Sequence, residues 1–374
     1  MRSTILITGA TGMIGRCLTE KILDQTDMWV VLLVHKQGED LSKKDFVKKF
    51  LNNKNSPDVL KRIEIVSGDI VEPQLSKKLQ LSQLASKITH VFHLAASTRF
   101  DLDLQVARSI NVVGTQNILE FAKQCPNLLQ FGFASTAYVS GKRTGTVMEN
   151  EYRHSDGFVN SYEQSKYEAE ELIIKHWDDI PAAIYRFSTI IGDSQTGGVS
   201  HFTAPHQSLR LMHLGLASMI PGTPEYKVDL IPTDYAVETT FQLFINKFQA
   251  STLYHIVSGN DKSFTLQEMI DESYKCLANF DPVWEKRQYP KPVITSESAF
   301  NLFLDSAKQA KNPFIHKVMS AMQHFAHQLN YPKEFDMTNT ILALPDYQKQ
   351  LPHIGEYYSR VVKYCLEVGW GKKI

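Results

Sequence analysis

The sequence predicts an α/β chain: a doubly wound parallel sheet with a smaller, mainly helical C-terminal cap. Three observations carry this expectation. Short β-branched runs alternate with longer helical patterns through the first two-thirds of the 374 residues. Those runs are almost continuously apolar, as strands covered on both faces must be. Beyond residue 260 strand signals thin out and helical spacing takes over.

In chain order the strand candidates are "TILIT", "WVVLLVH", "IEIVSG", "HVFHLAA", "LLQFGFAST" and "PAAIYRFSTII". Between them lie the helical patterns "GRCLTEKILDQ", "VARSINVVGTQNILEFAKQ" and "SYEQSKYEAEELIIKHW". The stretch from about residue 196 is irregular, and the sheet is expected to resume at "VDLIPTDYAVETTFQLF" and "STLYHIVSG". Thr265 and Glu268 form a capping-box pattern ahead of another helix. Phe314, Val318, Met322 and Phe325 stand at helical spacing. The division expected is residues 1–195 plus 225–259 as the sheet domain, and 196–224 plus 260–374 as the cap.

Lys plus Arg equals Asp plus Glu at 40 each, so the formal charge is zero. That removes the usual argument for nucleic acid or an anionic membrane as partner. The longest purely apolar run, "WVVLLV", is too short for a bilayer span, and the start lacks a signal peptide. Cys17, Cys125, Cys276 and Cys365 are scattered, which suits reduced thiols in a cytoplasmic protein.

"ILITGATGMIGRCL" runs from an apolar strand through Gly9, Gly12 and Gly15 into a helix. Glycines allow a tight turn, and the helix N-terminus offers free N–H groups and a positive dipole to a pyrophosphate. At the first strand-to-helix turn of a βαβ series, this points to a Rossmann-type dinucleotide site. The second strand ends in His35 and Lys36 and the phosphate loop runs into Arg16, with no carboxylate at the strand end. Cations there suit a 2′-phosphate and hence NADPH, although Glu39 and Asp40 slightly later keep NADH open.

Two tyrosine–lysine pairs have the spacing of a proton-transfer couple, Tyr138 with Lys142 and Tyr162 with Lys166. The second lies inside an uninterrupted helical pattern, so phenol and ammonium share one face. A cation beside the phenol is expected to lower a pKa that starts near about 10. The first pair straddles Gly141 at a strand end, and Tyr138 is expected to be a packing residue.

These motifs together resemble the extended branch of the short-chain dehydrogenase/reductase superfamily over roughly residues 4–260. The resemblance implies cofactor contacts at Gly9, Thr11, Gly12, Met13, Ile14, Gly15 and Arg16. It places Asp69 and Ile70 of "GDI" at the adenine, and Ala95, Ala96 and Ser97 along the cofactor. Asn111 of "NVVGTQNILEFA", Tyr162 and Lys166 complete the implied set. It also implies a catalytic hydroxyl after the fifth strand, at Thr136 with Ser135 as the near alternative, to bind the substrate oxygen beside Tyr162.

Four stretches narrow the likeness: "THVFHLAASTRFD", "FASTAYVSG", "YRFSTIIGDSQTGG" and "LIPTDYAVETT". Together they resemble the male-sterility or thioester-reductase-like group, which includes fatty acyl-CoA reductases and the reductase domains of carboxylic acid reductases and peptide synthetases. That resemblance implies NADPH-dependent reduction of an acyl thioester to an aldehyde, in some members onward to the alcohol. Without a carrier domain, the expected donor is a CoA ester or a separate acyl carrier protein. An extended-type dehydrogenase or epimerase acting on an alcohol, ketone or nucleotide sugar is the alternative. His324 and His327 lie one helical turn apart but lack further ligands, so no metal is expected. The Phe- and Met-rich stripe at 300–325 reads as core, with an acyl tunnel as the second reading.

Overall fold

A computed structural model describes residues 2–35, 43–51, 56–75, 81–309 and 326–371. Seven parallel strands form the main sheet: β1 (Thr4–Thr8), β2 (Trp29–Val34), β3 (Ile63–Ser67), β4 (His90–His93), β5 (Gln130–Thr136), β6 (Ala182–Phe187) and β7 (Thr252–Ile256). Their order is β7-β6-β5-β4-β1-β2-β3, so the winding reverses between β1 and β4. In open α/β sheets that reversal opens the crevice that binds ligand at the carboxyl ends of the strands.

Both faces are covered. Helix α1 (Met13–Gln25) packs on one face through Leu18, Ile22 and Leu23. Helices α2 (Gly114–Lys123) and α3 (Ser161–Lys175) cover the other, through Ile118, Leu119 and Phe121 and through Ala169 and Ile173. The strand expectations hold in all six early positions. The helical stretch around 106–124 contains a π-turn over Ser109–Val113, which lets Asn111 face inward.

One expectation fails. "TDYAVETTF" does not resume the sheet but forms helix α3's counterpart on the opposite face, α5 (Thr233–Phe241), behind α4 (Ala204–His213) in the chain. Only Leu230–Ile231 is extended, paired in parallel with Thr189–Ile190. The β-branched Val237, Thr239 and Thr240 suggested a strand, but Pro232 precedes the first turn and Asp234 sits within it. Helical spacing then buries Ala236, Val237 and Phe241 with α1, and tertiary burial outweighs weak local propensity.

The cap has its own core, from α4, α6 (Leu266–Phe280), α7 (Glu297–Gln309) and α8 (Tyr358–Glu367). The Thr265–Glu268 capping box forms as expected, with bonds of 3.1 and 2.7 Å. Phe314, Val318, Met322, His324 and Phe325 lie outside the described residues. Residues 333–351, which the sequence assigned to the cap, return to the sheet domain. Lys333–Phe335 pairs with Gly145–Val147, and the Tyr347 hydroxyl bonds both polar backbone atoms of Val257.

Behind this return runs a buried polar chain. Arg186 and Glu170, 2% and 1% exposed, pair at 2.7 Å and tie α3 to β6. The Arg186 Nη1 donates to His255 Nε2 at 3.3 Å, while His255 Nδ1 donates to the Asp336 carbonyl at 2.7 Å. Burial, with Arg186 adding to it, holds the His255 pKa down at about 3. Its contribution to stability is therefore complete above the unfolded value of about 6.5 and is lost as pH falls below it. His255→Gln should flatten the acid side of the stability curve, where one such histidine imposes up to about 1.4 kcal/mol per pH unit. Denaturant midpoints at pH 7 and pH 5 check this, and an unchanged difference between the two pH values would sink it.

Candidate active site

The crevice at the β1–β4 reversal is shaped first by the glycine turn. Gly9 sits at φ +70°, and a Cβ there would stand 2.7 Å from the Ala95 backbone nitrogen. A Cβ on Gly15 would overlap the Gly9 carbonyl oxygen, so α1 can start this close to β1 only with glycine at both positions. The Gly12 N–H closes the turn on the Gly9 carbonyl at 2.9 Å. Helix α1 begins at Met13 with no side-chain cap and no acidic residue in its first turn, which leaves the N–H groups of Met13, Ile14 and Gly15 at a positive helix end. Thr11 is exposed at the tip of the turn. Arg16 follows, and its Nε is buried without a hydrogen-bond partner. This glycine cradle and the orphaned guanidinium nitrogen fit an anionic dinucleotide.

The opposite wall is stitched to the loop. The Thr8 hydroxyl accepts from the Leu94 and Ala95 N–H groups at 3.2 and 3.0 Å and meets His93 Nδ1 at 2.7 Å. His93 is fully buried, which drives its pKa down to about 3, so it stays neutral and structural. Ala95, Ala96 and Ser97 line the crevice partly exposed. Asn111 accepts from the Ser97 N–H at 2.8 Å and donates to the Ser97 carbonyl and to Ser165 at 3.0 and 2.9 Å. It is thus a clamp between the β4 loop and α3. The Asn117 amide holds the Ile70 carbonyl at 2.7 Å, and a Cβ on Gly114 would press into the Ile70 side chain. The "GDI" and "GTQN" motifs fix each other in this way.

His35 Nε2 and an Asp69 carboxylate oxygen, which the sequence treated separately, lie 2.9 Å apart. Asp69 also accepts from the Val71 N–H at 3.0 Å. Lys36, Glu39 and Asp40 lie outside the described residues.

Thr136, Tyr162 and Lys166 converge at the carboxyl end of β5. The cap residue Asn160 accepts from the Glu163 N–H at 3.0 Å and starts α3, so Tyr162 and Lys166 stand one turn apart on one face. The Tyr162 hydroxyl faces Thr136, which pulls its pKa down. Thr136 Oγ1 also donates to the Phe187 carbonyl at 3.3 Å and accepts from the Tyr138 N–H at 3.3 Å. Lys166 Nζ donates to the Ala134 carbonyl at 2.6 Å and lies 4.0 Å above the Phe133 ring.

The electrostatics differ from expectation. Burial pushes the Tyr162 phenol up to about 12, against the lowering pull of Thr136. Lys166 does not depress it, because its ammonium turns to β5 and is itself held down at about 7 by burial, with Glu170 pulling it back up. The phenol is therefore protonated at neutral pH.

The decoy pair separates: Tyr138 is half-buried, bonded to the Thr189 hydroxyl at 3.3 Å and packed edge-on against Phe335, while Lys142 is exposed. Ser135 is buried with its hydroxyl unpartnered, and it is Thr136 that the Tyr162 hydroxyl faces.

Sequence reasoning did not name the residues that hold the motif loop "GDSQTG". Asp234 accepts from the Ser194 N–H and hydroxyl at 2.8 and 2.6 Å, and the Arg360 guanidinium donates to the Ser194 carbonyl at 2.9 Å. Asp234 belongs to "IPTDY", so the two most specific motifs are in contact, a pairing their joint occurrence could have suggested. Thr233 in turn reaches Met13 of the phosphate loop at 3.6 Å. Among the described residues, no group of three or more His, Cys, Asp and Glu could hold a metal ion, and no helix is long and apolar enough to cross a membrane.

Comparison with known proteins agrees with this geometry. Residues 7–240 match the male sterility protein family. Fatty acyl-CoA reductase 2 of Bos taurus is 27% identical over 330 residues, covering 77% of this chain and 64% of the relative. The chain thus spans just under two-thirds of the length of such curated relatives. Among solved structures, the terminal R domain of the myxalamid biosynthetic pathway has a TM-score of 0.79 at 23% identity, covering 99% of this chain and 92% of that one. UDP-glucuronic acid 4-epimerase from Bacillus cereus, solved with NAD, is more distant at a TM-score of 0.64 and 19% identity, over 98% and 99%. The family match covers well over half of the residues, and the chain belongs to the male sterility protein family.

Proposed function

We propose that this chain is an NADPH-dependent reductase that takes acyl thioesters to the aldehyde. The observation that carries this reading is the placing of the Thr136 and Tyr162 hydroxyls side by side near buried Lys166, beside a glycine turn that fits a dinucleotide. Similarity to fatty acyl-CoA reductases supports the thioester as substrate.

The glycine turn, Arg16 and the α1 N-terminus would hold the pyrophosphate, with Asp69 and Ile70 at the adenine. Ala95, Ala96, Ser97 and Asn111 would form the wall, and Lys166 would reach the nicotinamide ribose. A bound nicotinamide supplies the hydride. Thr136 and Tyr162 donate hydrogen bonds to the thioester carbonyl oxygen, which carries the developing negative charge. Tyr162 then gives its proton to that oxygen. When the hemithioacetal collapses, the C–S bond breaks, the hydroxyl proton passes to the sulfur, and aldehyde and thiol leave. The donor is a CoA ester or an acyl carrier protein. All four cysteines are free, which suits a reducing cytoplasm.

Loss of NADPH absorbance across a panel of acyl-CoA esters, aldehydes and ketones tests the reaction. Turnover with ketones or nucleotide sugars and none with acyl-CoA would replace this reading with the dehydrogenase or epimerase one. Cofactor choice is a separate prediction. Arg16 and the strand-end cations should favour NADPH, so titration by protein fluorescence should give tighter binding for NADPH than for NADH. Equal affinities would defeat it.

A further inference from the structure

Beneath Tyr162 lies a buried polar cluster that the proposed chemistry does not use. Glu163, the next residue, is 1% exposed, although it occupies the first turn of α3 where a carboxylate usually faces water. It accepts from the Val159 N–H and the Asn160 amide, both at 3.0 Å, and from the Gln328 amide. Lys333, 5% exposed, opens the segment that returns to the sheet domain, and Gln328, 6% exposed, lies in the turn just before it. Lys333 Nζ lies 3.5 Å from the Gln328 side-chain oxygen and donates to the Gly141 carbonyl at 2.5 Å.

The place of Gly141 gives this cluster its meaning. Gly141 ends the turn Ala137–Ser140 that follows Thr136, at φ +57°, and a Cβ there would run into the Gly157 carbonyl. Gly157 in turn accepts the Lys142 N–H at 3.0 Å, three residues ahead of the α3 cap. Lys333 therefore grips the element that delivers Thr136, and through Gln328 it grips the element that delivers Tyr162. The Thr136 and Tyr162 hydroxyls face each other from separate elements, and their registration depends on how those elements are held together.

We propose that Gln328 and Lys333 are positioning residues for Tyr162, holding the Glu163 carboxylate and the Gly141 loop so that the Tyr162 and Thr136 hydroxyls stay in contact. This rests on the reading of Tyr162 as the proton donor. An isolated buried carboxylate is costly and a compensated one is tolerated; Lys333 reaches Glu163 through the Gln328 side chain and attracts it as the counter-charge, without a direct ion pair. Burial pushes Glu163 up to about 7, against bonds from Gln328 and Val159 and the attraction of Lys333. Lys333 is pushed down to about 8 by burial, with Glu163 opposing this and Arg143 adding to it. Tyr162, Tyr138 and Tyr331 also face Glu163, and all three are protonated near neutrality.

Lys333→Met removes the counter-charge. At pH 8 the uncompensated Glu163 carboxylate should leave the interior and carry the head of α3 with it. At pH 6 it takes up a proton and stays. The expected result is a kcat loss of about tenfold to a hundredfold at pH 8 that shrinks toward pH 6, with NADPH affinity unchanged. The double variant Glu163→Gln with Lys333→Met removes both charges and should recover kcat to within about threefold at either pH. Gln328→Met, which breaks the link without changing charge, should lower kcat with a similar cofactor-binding constant and serves if Lys333→Met is not recovered folded. A pH-independent loss, a loss matched by weaker NADPH binding, or a double variant no better than the single would overturn the proposal. Amide exchange of residues 157–166 is read in parallel, faster in Lys333→Met at pH 8 and restored in the double variant. If the wild type turns over no substrate, the functional reading fails, and unchanged exchange in Lys333→Met would reject the positioning role as well.

Discussion

Tyr162→Phe should bind NADPH like the wild type and lose turnover by about 10²–10⁴-fold, the usual contribution of a positioned general acid. The substitution removes one hydroxyl and leaves the ring, which packs 5.6 Å from Phe100, in place. Its pKa of about 12 keeps the phenol protonated across the neutral range, so it is already in the donor form. Activity lost through unfolding would be accompanied by a lower melting temperature and weaker cofactor binding. Tyr138→Phe is the control. It removes a partly buried bond to Thr189, which lowers stability by about 0.5–1.5 kcal/mol, and turnover should stay within a few-fold. A dead Tyr138→Phe beside a live Tyr162→Phe would reverse the assignment.

Lys166→Met should lose NADPH affinity and, with it, turnover, because the ammonium is assigned to the nicotinamide ribose. The fold should tolerate it. Lys166 is 3% exposed, and its charged form is disfavoured there enough to bring its pKa to about 7. Between that value and the unfolded one near about 10.4, the unfolded chain holds a proton that the folded chain has released, so this lysine opposes folding in that window. Methionine gives up the ammonium's contact with the Phe133 ring but also removes the opposition. The wild-type rate should accordingly fall as pH rises through about 7, and Lys166→Met should lack that limb. A flat wild-type profile across pH 6 to 9, or a variant that keeps cofactor affinity, would remove the role at the ribose.

The sequence by itself determined the chain order of β1 to β6 and the glycine turn, and on local grounds it favoured Tyr162 over Tyr138 for the proposed proton transfer. These follow from local rules. Period-2 and period-3.6 patterns report which faces are buried, a glycine turn before a helix reports close backbone approach, and Gly141 separates Tyr138 from Lys142 while nothing separates Tyr162 from Lys166. Asn160, Asp103 and Thr265 cap their helices within three residues, so those starts were also open to local reading.

What the tertiary structure decided lies in contacts between residues far apart in the chain. The run 233–241 has β-branched residues that suit a strand, and only its burial against α1 makes it a helix. The Tyr162 pKa rises rather than falls because Lys166 reaches the Ala134 carbonyl, 32 positions away, in place of the phenol. His35 meets Asp69, Ser194 meets Asp234 and Arg360, and Glu163 meets Gln328 at a separation of 165 positions. Spacing cannot announce such pairs, because a charged side chain has the same composition whether it faces water or is carried inside. The return of residues 333–351 to the sheet domain is of the same kind. Its helical pattern was legible, but its docking depends on polar partners such as Glu149, which accepts from Thr340 at 2.8 Å and from the Asn339 N–H. Those groups are stable in the interior only when brought together, and the fold alone brings them there.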